Sequence, residues 1–245
     1  TDTRFLGKTP IIRQPLEMGS YLLTIRKEGY HTVRYPVVIE RNGDWNGIAP
    51  GESEPHPIHL PPLGTLEEGT CYVPAGWFTC GGDPNMPNCF PKTKVWVDGF
   101  VMSQYHVTVP EYMKFLNELI AQGKKDLTND ILPGMKGFPF VKTEKNGSLS
   151  YINPQFPDAD WSDLPMTWVD GKCGLIYTDW LRRVTGKPWR LAYEMEFEKA
   201  ARGVDARYFP MGNHYDPTWI LTDDTNVGGM PVGKSEYLKD RSIYG

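Results

Sequence analysis

The segment LPMTWVDGKCGLIYTDWLRRVTGKPWRLAYEMEFEKAARG, at positions 164–203, decides the fold of this chain. Its apolar residues recur at helical spacing in two stretches that a TGK turn separates. The first helix is predicted to follow Asp170, a candidate N-cap, and to end at Gly186. The second is predicted over Glu194–Arg202, with Phe197 and the two following alanines on its apolar face.

A further helix is predicted upstream of this segment. Thr108 and Glu111 have the spacing of a capping box, and apolar residues then keep helical spacing until Gly123. The next stretch, Lys124–Pro165, is polar and holds many glycines and prolines. It predicts a long excursion over the surface without regular structure.

Strand-like runs precede the helices. CYVPAGWF and VWVDGFVMSQYHV are rich in Val, Trp, Phe and Tyr, and they flank a loop of Pro, Gly and Asn. Nearer the start, TPII, SYLLTIRKEGY and YPVVIE predict a small β unit. Gly and Pro dominate residues 41–64, so we expect a linker or long loop there. The predicted organisation is a small β domain plus linker over 1–60 and a larger, loop-rich α+β domain over 61–245.

Composition excludes some classes of partner. The formal net charge of -4 gives no broad cationic surface for nucleic acid phosphates, so we expect no nucleic acid partner. No run of about 18 apolar residues occurs, so we expect no membrane span. The four cysteines, Cys71, Cys80, Cys89 and Cys173, are compatible with buried or idle thiols, with one disulfide or with a metal site.

One short motif suggests nucleotide binding. GGMPVGKS, Gly228–Ser235, satisfies the pattern of a phosphate-binding loop. Such a loop needs a buried strand before it and a helix after it, but LTDDTNV and EYLKDRSIYG provide neither. Pro231 also removes one backbone N–H from the loop. The motif is interpreted as a turn-rich surface loop.

The order of four segments is more informative than any single motif. These are YVPAGWFTCGG, VWVDGFVMSQYHVTVPEYMKFLN, the quoted segment from Leu164 to Gly203, and YFPMGN. In order and spacing they resemble the formylglycine-generating enzyme family, also called the sulfatase-modifying factor domain. The resemblance covers residues 71–245 and implies a C-type lectin-like fold. At the start of the predicted helix Glu194–Arg202, Tyr193 replaces the capping Thr of the family. Arg190 is expected to form an ion pair with Glu194.

The N-terminal part is similar to a PEGA domain, on TPII, PLEMGSYLLTIRKEGY and YPVV. PEGA domains often accompany signalling kinases and sulfatase-modifying factor domains in bacterial multidomain proteins. The resemblance therefore implies a bacterial, cytoplasmic signalling protein. Its partner is expected to be a protein or peptide, with the C-terminal half of its own domain as another candidate.

Oxidase members of the family bind copper through two cysteines near the carboxyl end of the domain and convert a substrate cysteine to formylglycine. The resemblance implies that this segment lies beyond DRSIYG, so no catalytic residue is assigned and copper is expected only if that segment supplies a cysteine pair. The family also implies calcium at Asn226 and the carbonyl of Val227. Two hypotheses remain: a non-catalytic binding or regulatory module, for which Trp161, Trp189 and Trp219 are candidate contacts, and a formylglycine-generating oxidase.

Overall fold

Helices and antiparallel strands alternate along the chain. The computed structural model describes residues 3–135, 137–154, 160–216, 219 and 242–244. The strands are β1 Gly19–Ile25, β2 Val33–Ile39, β3 Thr70–Val73, β4 Gly76–Cys80, β5 Thr93–Val97, β6 Phe100–Ser103, β7 Gly134–Met135, β8 Phe138–Pro139, β9 Val141–Thr143 and β10 Leu149–Tyr151. The helices are α1 Val109–Ala121, α2 Lys125–Asn129, α3 Gly171–Thr185 and α4 Glu194–Arg202.

The strands form antiparallel pairs. β1 pairs with β2, and β4 pairs with β5 inside a wider pair of β3 with β6. The short pairs β7–β8 and β9–β10 follow α2. The predicted strand runs are confirmed with one exception, because TPII, Thr9–Ile12, forms no strand.

All three predicted helices are present, and the predicted caps of α1 and α3 are confirmed. Thr108 and Glu111 form the capping box of α1, with the Thr108 N–H donating to Glu111 Oε2 at 2.7 Å. The Asp170 carboxylate accepts the backbone N–H of Cys173 at 2.9 Å, and Gly186 ends α3 in the left-handed conformation at φ 69°.

Helix α4 starts at Glu194 as predicted, but the ion pair beside its start differs from the prediction. Glu196, at the third helical position, accepts the backbone N–H of Tyr193 at 2.8 Å, which supplies half of a capping box without a capping side chain. This interaction turns the Glu196 carboxylate back towards Arg190, which donates two hydrogen bonds to it at 2.6 and 2.7 Å. The predicted pairing of Arg190 with Glu194 was therefore wrong.

The buried face of α4 also differs from the prediction. Phe197 is exposed, whereas Lys199 and Ala200 are buried against the β3–β4 region. Of the predicted apolar face, Ala200 is buried as predicted, whereas Phe197 is not.

The stretch Lys124–Pro165 is more ordered than its sequence indicates. It contains α2 and strands β7 to β10, and it contributes Ile131, Phe140 and Tyr151 to the main core. The prediction of a structureless surface excursion was wrong, because buried apolar side chains hold short strands between the glycines and prolines.

The main core lies between α1 and α3. Phe115 is fully buried and packs edge-on against Tyr177, while Trp180 donates its indole N–H to Glu118 at 2.9 Å. Tyr112 also packs in this core and donates its hydroxyl proton to the carbonyl of Ile131 at 2.9 Å. Both helices are therefore fixed by aromatic packing that satisfies its polar atoms.

The N-terminal hairpin packs against the larger domain. Ser20 donates to Asp205 at 2.7 Å, and the buried side chains Val33, Tyr35 and Val37 point inwards from β2. Residues 41–64 form no helix or strand, as predicted, but they pack closely: the Trp77 indole donates to the Ile48 carbonyl at 2.8 Å. Among the described residues, no helix is long and apolar enough to cross a membrane.

Candidate functional site

Trp168 has a strained backbone immediately before α3. Its φ is 60°, a conformation that bulky L residues rarely adopt. The Trp168 carbonyl accepts the Gly134 N–H at 2.9 Å, and its ring packs edge-on against Phe140 at 5.6 Å between centroids. Two residues later, Asp170 begins α3, so the strained position is held between the β7–β8 hairpin and a helix cap.

Large apolar side chains are exposed at Trp168 and Val169, on the β7–β8 hairpin that Trp168 contacts through Gly134, and at Ile152. Trp168 is 48% exposed and Phe138, on the β7–β8 hairpin, is 74% exposed. We call the group the Trp168 surface; its members are Met135, Phe138, Ile152, Trp168 and Val169. Met135 and Phe138 are directly paired across the hairpin, so their side chains lie on one face.

The chemistry of the Trp168 surface suits binding rather than catalysis. It offers an indole, a phenyl ring and a thioether, which bind apolar groups by burial. The nearest capping carboxylate, Asp170, is occupied: the backbone hydrogen bond from Cys173 lowers the pKa of Asp170 and holds it ionised. It is therefore a structural anion at the start of α3.

A second distinctive region joins the N-terminal hairpin to the larger domain. Lys199 is 1% exposed, and its ammonium donates to the carbonyls of Pro74, Gly76 and Val97 at 2.7, 3.1 and 3.2 Å. Tyr35 of β2 and Tyr244 pack beside it, and all line one cavity. We call the contact among Tyr35, Gly76, Lys199 and Tyr244 the Lys199 seam.

The environment of Lys199 is unusual because, in the part of the chain that the structure describes, its amino group contacts three carbonyls and no carboxylate. Burial lowers the pKa of Lys199 to about 7, against a smaller opposing effect of Asp98. The three carbonyl dipoles replace the water that the ammonium loses. The ammonium thus ties the β3–β4 turn and the end of β5 to α4.

The four cysteines occupy separate parts of the fold. Cys71 lies on β3, Cys80 on β4, Cys89 in the β4–β5 loop and Cys173 on α3, and all four thiols are free. Burial raises the pKa of Cys71, Cys80 and Cys173, which keeps these thiols protonated. Within the described residues no group of three His, Cys, Asp or Glu side chains is arranged to hold a metal ion.

Of the site residues predicted from sequence, only Trp161, Trp189 and Trp219 lie within the described residues. The candidate calcium ligands Asn226 and Val227, and the loop Gly228–Ser235, lie outside the described residues. Trp161 packs against Tyr151 at 4.9 Å in the core region. The indole N–H of Trp189 is buried, and the ring of Trp219 packs edge-on against that of His214, with 6.3 Å between the ring centroids.

Sequence reasoning missed both Trp168 and Lys199. A tryptophan with positive φ has no signature in the sequence, because glycine and asparagine are the residues expected there. Lys199 stands in a charged helix where a solvated lysine is the ordinary expectation.

Two family models match the chain. The sulfatase-modifying factor enzyme 1-like domain matches residues 61–234, which is more than half of the sequence. The chain belongs to this family. The PEGA domain matches residues 1–46.

Several proteins from other organisms are similar to this chain in sequence. The protein YfmG of Bacillus subtilis, described as uncharacterized, is 26% identical over 198 residues, which is 75% of this chain and 37% of that protein. Formylglycine-generating enzyme of Mus musculus is 29% identical over 184 residues, 66% of this chain and 48% of that enzyme. This chain thus spans less than half the length of either relative. The structure of PvdO from Pseudomonas aeruginosa matches with a TM-score of 0.48 at 23% identity, covering 71% of this chain and 66% of that one.

Proposed function

We propose that this chain is a non-catalytic binding module in a bacterial multidomain signalling protein. Its sulfatase-modifying factor scaffold, of C-type lectin-like fold, presents the Trp168 surface to a protein or peptide partner. The observation that carries the proposal is the exposed Trp168 in a strained conformation. Backbone strain of this kind costs about 1–3 kcal/mol and is found mainly where it holds a functional side chain in place.

The position of the Trp168 surface supports this function. The surface is built on a hairpin and a loop, and Phe140 anchors both to the core that α1 and α3 form. A rigid scaffold that presents apolar groups on loops is the ordinary arrangement of a binding site. The partner is expected to insert an apolar side chain between Phe138 and Trp168.

The N-terminal hairpin supports a role within a larger protein. PEGA domains occur in proteins of several domains, and here the hairpin is fixed to the binding domain by the Lys199 seam and by the Ser20–Asp205 hydrogen bond. We propose that it sets the orientation of the Trp168 surface in a cytoplasmic assembly.

Peptide selection tests the binding function. Displayed random peptides are selected on the purified chain, and the affinity of the selected peptides is then measured by fluorescence polarisation. Trp168→Ala keeps the Cβ, and therefore the backbone strain, but removes the indole. We expect it to weaken binding at least about tenfold, since a central tryptophan contact contributes about 2 kcal/mol or more.

Leu175→Ala is the matched control. Leu175 is an exposed apolar residue on α3, outside the Trp168 surface. Its replacement should leave peptide affinity unchanged. Equal losses for Trp168→Ala and Leu175→Ala would show that selected peptides bind by general apolar contact and would contradict the proposal.

The second candidate function is copper-dependent formylglycine generation. It is favoured by the relatives named formylglycine-generating enzyme and would require a cysteine pair outside this chain. The parent protein would be given copper, oxygen and a cysteine-containing peptide while oxygen uptake is recorded. Uptake that requires copper and peptide would establish the oxidase and overturn the non-catalytic proposal.

Calcium at Asn226 and the Val227 carbonyl is a separate proposal. It predicts that calcium raises the melting temperature of the chain and that EDTA reverses the effect. Asn226→Ala should remove the shift. A shift that persists in this variant would place the ion elsewhere.

A further inference from the structure

Strand β1 forms one edge of the N-terminal hairpin. In the part of the chain that the structure describes, β2 is the only strand bonded to β1, and no backbone hydrogen bond joins β1 to a loop. Alternate N–H and C=O groups of an antiparallel edge strand point away from its partner. Asp205 accepts a hydrogen bond from the Ser20 hydroxyl, but side chains project from the faces of a sheet, so this contact does not use the backbone groups of the edge.

The exposure of the two strands agrees with an open edge at β1. β2 contributes three buried side chains, Val33, Tyr35 and Val37, whereas no residue of β1 is buried. Leu22, at the centre of β1, is 46% exposed, and Met18, just before the strand, is 68% exposed. The outer side of β1 therefore combines backbone donors and acceptors with exposed apolar side chains.

The sequences of the two strands differ in how they suit further strand pairing. β2 carries Arg34 and Pro36, a charge and a residue without an N–H, and both kinds of residue discourage the addition of another strand. β1, GSYLLTI, contains no charge and no proline, and it pairs one-to-one with β2 without a bulge. An uncharged, regular edge of this kind is a template for pairing with another chain.

The charges at the two ends of β1 indicate which chain pairs with it. Glu17 stands two residues before the strand, Arg26 and Lys27 follow it directly, and Glu28 lies further on in the turn. In an antiparallel pair of two copies, the start of one strand lies beside the end of the other. The acidic start of each β1 then meets the basic end of the second β1, whereas a parallel pair would bring like charges together.

We infer that β1 is a self-association edge, at which two copies of this chain pair their β1 strands antiparallel about a two-fold axis at Leu22. This register places Leu22 opposite Leu22, Tyr21 opposite Leu23 and Glu17 opposite Lys27. It bonds the outer backbone groups of both edges and buries the exposed leucines against each other. The two hairpins then form one four-stranded antiparallel sheet. The inference goes beyond the proposed peptide binding, because β1 shares no residue with the Trp168 surface.

The contact is expected to be weak and reversible. Pairing of one short strand from each copy buries less than the roughly 1,200 Å² of surface found at stable interfaces. Analytical ultracentrifugation from about 10 µM to about 1 mM chain should therefore show a monomer–dimer equilibrium. A chain that remains monomeric over this whole range would overturn the inference.

Leu22→Lys tests whether β1 is the surface that pairs. The substitution places two ammonium groups opposite each other at the two-fold axis, so the dissociation constant of the dimer should rise at least about fivefold. Because Leu22 is half-exposed, the melting temperature of the monomer should stay at the wild-type value. Leu175→Lys, at an exposed leucine of α3, is the matched control and should leave the dissociation constant unchanged. Equal dissociation constants for the two variants would place the dimer contact elsewhere and contradict the inference.

Charge reversal tests the register. Glu17 and Lys27 are both exposed, so each is replaced without disturbing the core. Glu17→Lys brings two lysines together at each end of the paired strands and should raise the dissociation constant about threefold or more. The double variant Glu17→Lys/Lys27→Glu restores opposite charges and should return the dissociation constant to the wild-type value. If the double variant associates as weakly as Glu17→Lys alone, the two positions do not face each other and the inferred pairing is wrong.

Discussion

The Lys199 seam buries a polar side chain, whereas the Trp168 surface leaves apolar side chains exposed. At the seam the amino group of Lys199 is buried and bonded to three carbonyls, so polar contacts join the segments. At the surface apolar groups are exposed and the backbone is strained, so stability is given up. Substitutions at the seam should therefore change stability, and substitutions at the surface should change binding.

Lys199→Met should have the largest effect on stability. The methionine keeps the length of the side chain but leaves three buried carbonyls without their donor. At pH 9 we expect the free energy of unfolding to fall by about 3 kcal/mol, since each buried acceptor without a partner costs about 1–3 kcal/mol. Urea unfolding followed by tryptophan fluorescence measures the change.

Lys172→Met is the control for this substitution. Lys172 makes an exposed ion pair with Asp130, and such pairs contribute little. Its replacement should change the free energy of unfolding by less than about 0.5 kcal/mol. Equal effects for the two variants would show that Lys199 is not the group that joins the strands to α4.

Asp205→Ala should have the next largest effect. Asp205 accepts hydrogen bonds from Ser20 and from the partly buried Arg207, at 2.7 and 2.6 Å. Burial alone would raise the pKa of Asp205, but the hydrogen bonds outweigh burial and lower it. Removing the carboxylate should cost about 2 kcal/mol in the free energy of unfolding.

The control here is Asp179→Ala, which removes an exposed partner of two arginines on α3. Its cost should be within about 0.5 kcal/mol. Limited proteolysis adds a second measurement, because Asp205→Ala should expose the N-terminal hairpin to cleavage earlier than the rest. Uniform cleavage of both parts would contradict a role of Asp205 in holding the hairpin.

The pH dependence of stability sharpens the interpretation of the seam. Burial lowers the pKa of Lys199 from 10.5 to about 7. Between these values the unfolded chain binds a proton that the folded chain lacks, so stability rises with pH. The free energy of unfolding of the wild type should rise, relative to that of Lys199→Met, by up to about 1.4 kcal/mol per pH unit between pH 7 and pH 9.

Unfolding in urea at several pH values measures this difference. The phenols Tyr35 and Tyr244 titrate well above this range, because burial raises the pKa of both, so they stay neutral throughout. A difference that does not change with pH would show that the three carbonyls keep Lys199 protonated up to pH 9.

The sequence predicts local structure well and tertiary partners poorly. Caps at Thr108, Asp170 and Gly186 depend on neighbouring residues, so their side-chain chemistry was sufficient to locate helix ends. The partners of Lys199 lie about 100 positions or more away, on Pro74, Gly76 and Val97. Only the fold brings them together.

The same limit explains the errors at shorter range. Arg190 could meet either Glu194 or Glu196 of α4, and the choice of Glu196 depended on the backbone N–H of Tyr193. The short strands after Lys124 depend on burial of Ile131 and Phe140, which the abundance of glycine and proline conceals. For the candidate site, the strain at Trp168 arises from packing and has no counterpart in the composition.

Phe138→Ser should have the smallest effect on stability and still abolish much of the binding. Phe138 is exposed at the tip of the β7–β8 hairpin, so its removal should change the free energy of unfolding by less than about 0.5 kcal/mol. Its phenyl ring lies on the same face as Met135, within the surface proposed to hold an apolar side chain of the partner. Affinity for a selected peptide should fall about tenfold, measured by fluorescence polarisation, whereas Tyr193→Ser, at the residue before α4, should leave it unchanged. If Phe138→Ser destabilised the fold as much as Asp205→Ala, the Trp168 surface would be a second structural seam, and the contrast between the two regions would disappear.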